Sequence, residues 1–217
     1  MSRSNHLPLI AGLSLSMGLL AGLAQAGERL LPAAKIFPFL QDYLSLSPSA
    51  RDRFAPIYVF RSKTGKLAGT QAWLVVDGAR TPLSIAADGQ IGAPTSVAQV
   101  ARGQVALSLP PESKMGVRME VTAIVPLRAE IAEPLLEASL AQANSALHTG
   151  VPLISPPRFR RLVFEGAQGG EVVSVDGQRR QLPTRDGVAY YEPSPEAHDA
   201  VLRFRQPPSH VILSSDR

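Results

Sequence analysis

The chain has 217 residues, 45% of them apolar, a formal net charge of +4 and no cysteine. That composition excludes wholesale disorder, a disulfide framework, zinc ribbons, thiol nucleophiles and an acylated-cysteine anchor. The pI of about 9.8 comes from 18 arginines set against 18 acids, and because the two signs interleave instead of massing on one strip, no nucleic-acid partner is expected.

Residues 1–26 carry one basic residue (Arg3), then the apolar run Leu9–Leu23, then Ala24-Gln25-Ala26 before Gly27. A basic start, a short apolar stretch and small residues at a cleavage point make a Sec-type signal peptide cut after Ala26. The run is broken by Gly12, Ser14, Ser16, Gly18 and Gly22, whereas a retained membrane anchor needs about 20 well-packed apolar residues. The expected product is therefore a soluble, non-spanning chain of the bacterial periplasm or exterior, with residues 27–217 forming the mature protein.

Residues 27–56 read as a short helical N-terminus: Phe39, Leu40, Tyr43 and Leu44 recur at helical spacing, and Ser47-Pro48 suits the start of one more turn. Residues 57–125 read as a first β unit, with strands at Ile57–Arg61, Gln71–Val76, Thr81–Ala86, Gln104–Leu109 and Met115–Val121 between Gly, Pro, Asp and Lys breaks. Residues 126–150 hold one long amphipathic helix, Glu130–His148, in which Leu136, Leu140, Ala143 and Leu147 share a face. Pro134 suits its first turn and Gly150 its stop. Residues 151–217 read as a second β unit, with strands at Arg160–Glu165, Glu171–Val175, Arg179–Leu182, Val188–Tyr191, Val201–Arg205 and His210–Ser214.

The two β units resemble each other. Asp77-Gly78, Arg80, Leu83, Asp88-Gly89, Pro94 and Pro110-Pro111 recur in order as Asp176-Gly177, Arg179, Leu182, Asp186-Gly187, Pro193 and Pro207-Pro208, at an offset drifting from 99 to 97 residues. Asp-Gly is a favoured hairpin turn in any β protein; four in matched register imply an internal duplication. The fold class is thus mainly β with helices (α+β): two related antiparallel, sandwich-like β units joined by the long helix, with 57–217 able to form one domain.

Catalytic motifs are missing from the sequence. There is no Gly-x-Ser-x-Gly elbow, no phosphate loop and no His-Glu-x-x-His. Ser209 adjoins His210, but neighbours on a strand face opposite ways. His148 at a helix end is explained by the helix dipole. Among metal-binding residue types, Glu196, His198 and His210 are the candidates, with Asp199 beside them; surface-loop residues are the competing reading. For a ligand, Arg158, Arg160 and Arg161 around Phe159, together with Tyr191, offer guanidinium and ring surface to an anionic or sugar group. Against that stands the alternation of a solvated strand, with the lone Trp73 in the core.

No cofactor is expected. The function read from the sequence is an exported, non-catalytic binding or structural module of the cell envelope, its partner an envelope protein or cell-wall glycan. One alternative is a periplasmic hydrolase of glycan or peptide, built from carboxylates that folding brings together. Another is an assembly factor that pairs client strands at an exposed sheet edge.

Overall fold

The computed structural model describes residues 28–62, 67, 69–109, 115–150, 158–194 and 198–215, with the backbone alone at 148–150. The leader read in residues 1–26, Pro110-Pro111, Glu196 and the His148 side chain lie outside the described residues. The fold is mainly β, with three antiparallel sheets and few helices.

The first half runs β1 (Glu28–Pro32), α1 (Ala33–Ile36), α2 (Leu40–Ser45), a 3-10 turn (Pro48–Ala50), β2 (Phe54–Ser62), β3 (Gln71–Val76), β4 (Ala79–Leu83), β5 (Gln90–Ile91), α3 (Val97–Arg102), β6 (Gln104–Ser108) and β7 (Met115–Ala123). The second runs β8 (Glu130–Ala132), α4 (Glu133–Gly150), β9 (Arg161–Glu165), β10 (Glu171–Val173), β11 (Arg179–Gln181), β12 (Thr184–Arg185), β13 (Val188–Tyr191), β14 (Val201–Arg203) and β15 (His210–Ser214).

Two expectations change here. The N-terminal segment is not purely helical: Glu28–Pro32 pairs with β6, from Glu28 opposite Ser108 to Pro32 opposite Gln104. The long helix starts at Glu133 and not at Glu130, because Glu130–Ala132 pairs with β14. Both strands are short lead-ins to helices, and only a partner far along the chain makes them strands.

The pairings explain how the halves fit. One small sheet has the order β1-β6-β3-β4, and the other β8-β14-β10-β11. The seven-stranded sheet has the order β12-β13-β9-β15-β7-β2-β5. Each half's small sheet therefore makes the same succession of pairings, and the halves meet where β7 runs antiparallel to β15, with Thr122 opposite Ile212 and Val121 opposite Leu213. The Thr122 hydroxyl donates to the Val211 carbonyl at 3.0 Å across this seam. The β-rich parts are thus joined through one shared sheet as well as through α4.

The core is shared too. Phe54, Tyr58, Phe60 and Val121 from the first half belong to one buried cluster with Leu136, Leu140, Ala143, Leu162, Phe164, Leu202, Val211 and Leu213 from the second. Phe37 meets Tyr58 edge-on at 5.0 Å, and Phe164 lies 4.8 Å from Phe204. Trp73, expected in the core, is instead half-buried on β3 with the Arg80 guanidinium 4.8 Å above its ring. Arg80 is itself held by Glu28 at 2.9 Å.

The central sheet ends in two-residue strands, β5 and β12. The edges of the smaller sheets carry Arg29 and Pro32 on β1, Arg80 and Pro82 on β4, and Arg179 and Arg180 on β11. Short edges with charge or proline are how β proteins avoid pairing with strangers. Among the described residues no helix is long and apolar enough to cross a membrane.

Candidate functional site

The N-terminal turn of α4 places a carboxylate where an apolar group would be at home. Glu133 follows β8 directly, and its backbone N–H donates to the Ala200 carbonyl at 2.9 Å. That bond draws the side chain inward until the residue is only 1% exposed. One turn on, Glu137 sits half-exposed on the same face of the helix. The turn at His198 and Asp199 closes over them, and Asp199 shapes it with a φ of 61°. His198 Nδ1 lies 3.7 Å from Glu137 Oε2. A carboxylate oxygen of Glu133, one of Glu137 and a ring nitrogen of His198 all fall within 4.8 Å of one another.

Beneath them the Tyr191 hydroxyl, on a residue 2% exposed, faces the Glu133 carboxylate. The two act on each other as a weak hydrogen-bonded pair, but the alignment is too poor to satisfy either Tyr191 Oη or Glu133 Oε2 fully. Leaving such groups unsatisfied costs about 1–3 kcal/mol each. The electrostatics follow from that enclosure. Burial, and then the neighbouring Glu137 carboxylate, push the Glu133 carboxyl above its ordinary range; Asp199 adds to the rise, while His198 and Tyr191 oppose it. Burial and the Glu133 charge push the Tyr191 phenol up to about 12. Enclosure thus works against the charged form of both groups, and a cation beside them would work the other way.

Beside this cluster runs a groove of about 420 Å³ between α4 and the strand entry, lined by Glu137, Asn144, Arg158, Phe159, Arg160 and Glu192 among others. Asn144 fixes the strand entry by gripping one residue at both ends. Its Nδ2 donates to the Phe159 carbonyl at 2.9 Å, and its Oδ1 accepts from the Phe159 N–H at 2.8 Å. Asn144→Ala should cost about 2 kcal/mol in urea unfolding, since both Phe159 polar groups lose their partner. Asn144→Asp, which can accept but not donate, should fall between Ala and the wild type.

The residues singled out from the sequence separate in space. Arg158 and Arg160 line the groove. Arg161 turns to the other face of the sheet, 9% exposed, bonded to Glu192 at 2.6 and 2.9 Å and packed 4.3 Å over Tyr190. Tyr191 joins the Glu133 cluster instead of the arginines. His198 stands at that cluster too. His210 is elsewhere, on β15 opposite Glu165. Glu133 and Glu137 escaped the sequence reading; acids at i and i+4 in a first helical turn look like ordinary helix-dipole complements, and only the burial of Glu133 marks them out.

Comparison of the chain with protein-family models, with curated proteins and with solved structures finds no match.

Proposed function

We propose that this protein is an exported, non-catalytic binding module of the cell envelope, and that the groove along α4 is its ligand-contacting surface. The observation that carries the reading is the arrangement Arg158-Phe159-Arg160. Its two guanidinium groups have no ionic partner among the described residues, and the backbone between them is locked by Asn144. Guanidinium groups beside an aromatic face suit a carboxylate-bearing sugar, the chemistry of an anionic cell-wall glycan. The leader-like residues 1–26 supply the address.

We also infer that the two halves descend from one β unit. The matched Asp-Gly, Leu and Pro-Pro positions support this, as does the common order of strand pairing.

Hydrolysis is the less favoured reading. Glu133 is too deeply buried to reach a polymer, and Glu192, the other groove acid besides Glu137, is engaged by Arg161. The short, charged or proline-bearing edges speak against strand donation.

The test is co-sedimentation of the protein with purified cell-wall glycan, alongside pull-down from envelope extract. Saturable retention, lost at least tenfold in the Arg158→Ala/Arg160→Ala variant and weakened by salt, supports the groove reading. Retention of a protein in place of glycan moves the partner class. Glycan fragments released over time without retention overturn the reading in favour of the hydrolase.

A further inference from the structure

We propose that Glu133, Glu137 and His198 form a binding site for one divalent transition-metal ion, with Zn²⁺ the best match. This goes beyond the groove reading and does not depend on it.

The fold provides an internal control. In the first half, Ala33 occupies the place of Glu133: it follows β1 directly, and its N–H donates to the Gly103 carbonyl at 2.9 Å, as Glu133 donates to Ala200. Ala33 is fully buried. The residue one turn on is Phe37, 1% exposed, where the second half has Glu137. Ile36 and Leu40 are buried there as Leu136 and Leu140 are here. Before Gly103 stand Ala101 and Arg102; before Ala200 stand His198 and Asp199. So the first half is satisfied by apolar side chains at these positions, with Phe37 just past the end of α1 and Ala101, in α3, at the sequence offset that His198 has here. The second half replaces them with two carboxylates and brings the imidazole over them.

A structural role does not explain the substitution. An acid in the first turn of a helix gains from the dipole, but it does so at the surface, where it stays hydrated. Glu133 is enclosed, and the Tyr191 hydroxyl that faces it is too poorly aligned to satisfy its Oε2, leaving both atoms short of a well-formed hydrogen bond. Three acids, Glu133, Glu137 and Asp199, crowd one imidazole here. A divalent cation would answer all of these at once. It would supply the positive charge and use the free carboxylate oxygen, leaving Tyr191 as an outer partner that orients the Glu133 carboxylate.

Size and donor type select the ion. The 3.7 Å between His198 Nδ1 and Glu137 Oε2 is near the roughly 3.4 Å edge of a tetrahedron with bonds of about 2.1 Å. The remaining closure falls to two exposed side chains that are free to turn. An imidazole with carboxylates suits Zn²⁺ and its neighbours, whereas Ca²⁺ and Mg²⁺ prefer oxygen donors throughout. Three protein ligands leave a fourth position for water or for Asp199.

The experiment is titration of the tag-free protein with Zn²⁺ against a chromogenic chelator, with melting curves in chelator and in Zn²⁺. One ion should bind per chain, and Zn²⁺ at a hundredfold excess over Kd should raise Tm by about 5 °C. His198→Ala and Glu133→Gln should each weaken binding at least tenfold and abolish the rise, while His210→Ala should bind as the wild type. Metal-free Glu133→Gln should melt at or above the wild-type temperature, separating loss of a ligand from loss of the fold. Should that variant fail to fold, His198→Ala, altered at an exposed turn, decides alone. Unchanged Zn²⁺ binding in His198→Ala, or no saturable binding by the wild type, overturns the site.

Discussion

Cut between Val125 and Pro126, the chain should give two fragments that are unfolded apart and recover a native-like spectrum only when mixed. The reason is where the halves join. β7 and β15 lie side by side in the middle of the seven-stranded sheet, so separating the halves turns each into an edge. On the first fragment that edge is the nine-residue strand Met115–Ala123, far longer than the native edges of two residues on β5 and β12. The same cut removes α4, whose Leu136, Leu140 and Ala143 share one core with Phe54, Tyr58 and Phe60. A fragment of this size has little surplus stability from which to lose a helix and a sheet neighbour. Circular dichroism and denaturant titration of each fragment and of the mixture decide the matter. Cooperative unfolding of residues 27–125 alone would mean that the halves are independent domains.

Phe164→Ala should be the most damaging single substitution in the central sheet, costing about 3–5 kcal/mol and lowering Tm by about 10 °C. Phe164 is completely buried on β9, flanked across the sheet by Ala189 on one side and Val211 on the other. Its ring packs on Phe204, beyond the end of β14, so it ties the central sheet to the smaller one. Neither neighbour is large enough to fill the space by turning. The control is Val175→Ala in the β10–β11 hairpin: Val175 is 77% exposed, and its truncation should change stability by less than about 0.5 kcal/mol. Urea unfolding of the two variants checks both values. Equal midpoints would show that the core does not run through Phe164.

The strands are legible in the sequence wherever alternation and turn residues coincide. Gln71–Val76, Val188–Tyr191 and His210–Ser214 have the bounds that their residues predict. The Asp-Gly turns act as expected at Asp77-Gly78 and Asp186-Gly187, where both residues take positive φ. β8, β5 and β12 are not legible because they are too short to show a period, and β1, though five residues long, shows no inside–outside alternation and is a strand only by pairing with β6 far along the chain. α3 is a different case, a helix inside a stretch that reads as strands and turns. Its signal is local: Ser96 and Gln99 form a reciprocal capping box, the Ser-x-x-Gln pattern of a helix start, which the surrounding turn residues obscure.

The candidate site divides on the same principle. Arg158 and Arg160 stand out locally because they are adjacent to an aromatic, and His198 because histidine is scarce. Glu133 has no local signature. Its distinction is burial, a property of β8, α4 and the 198–200 turn together. Glu196, chosen from the sequence beside His198, lies outside the described residues, and His210 sits on a strand with different neighbours.

The strand at the middle of the central sheet, β15, is also the last of the described strands in chain order. A ribosome therefore releases the strands on either side of it before the one that closes the sheet. Until then β7 and β9, which flank it, have no partner between them, and pairings this distant in sequence form slowly. Such a nascent chain stays open while it is being made. Strand order alone thus sets a lower limit on when the central sheet can close, whatever route the chain takes after synthesis.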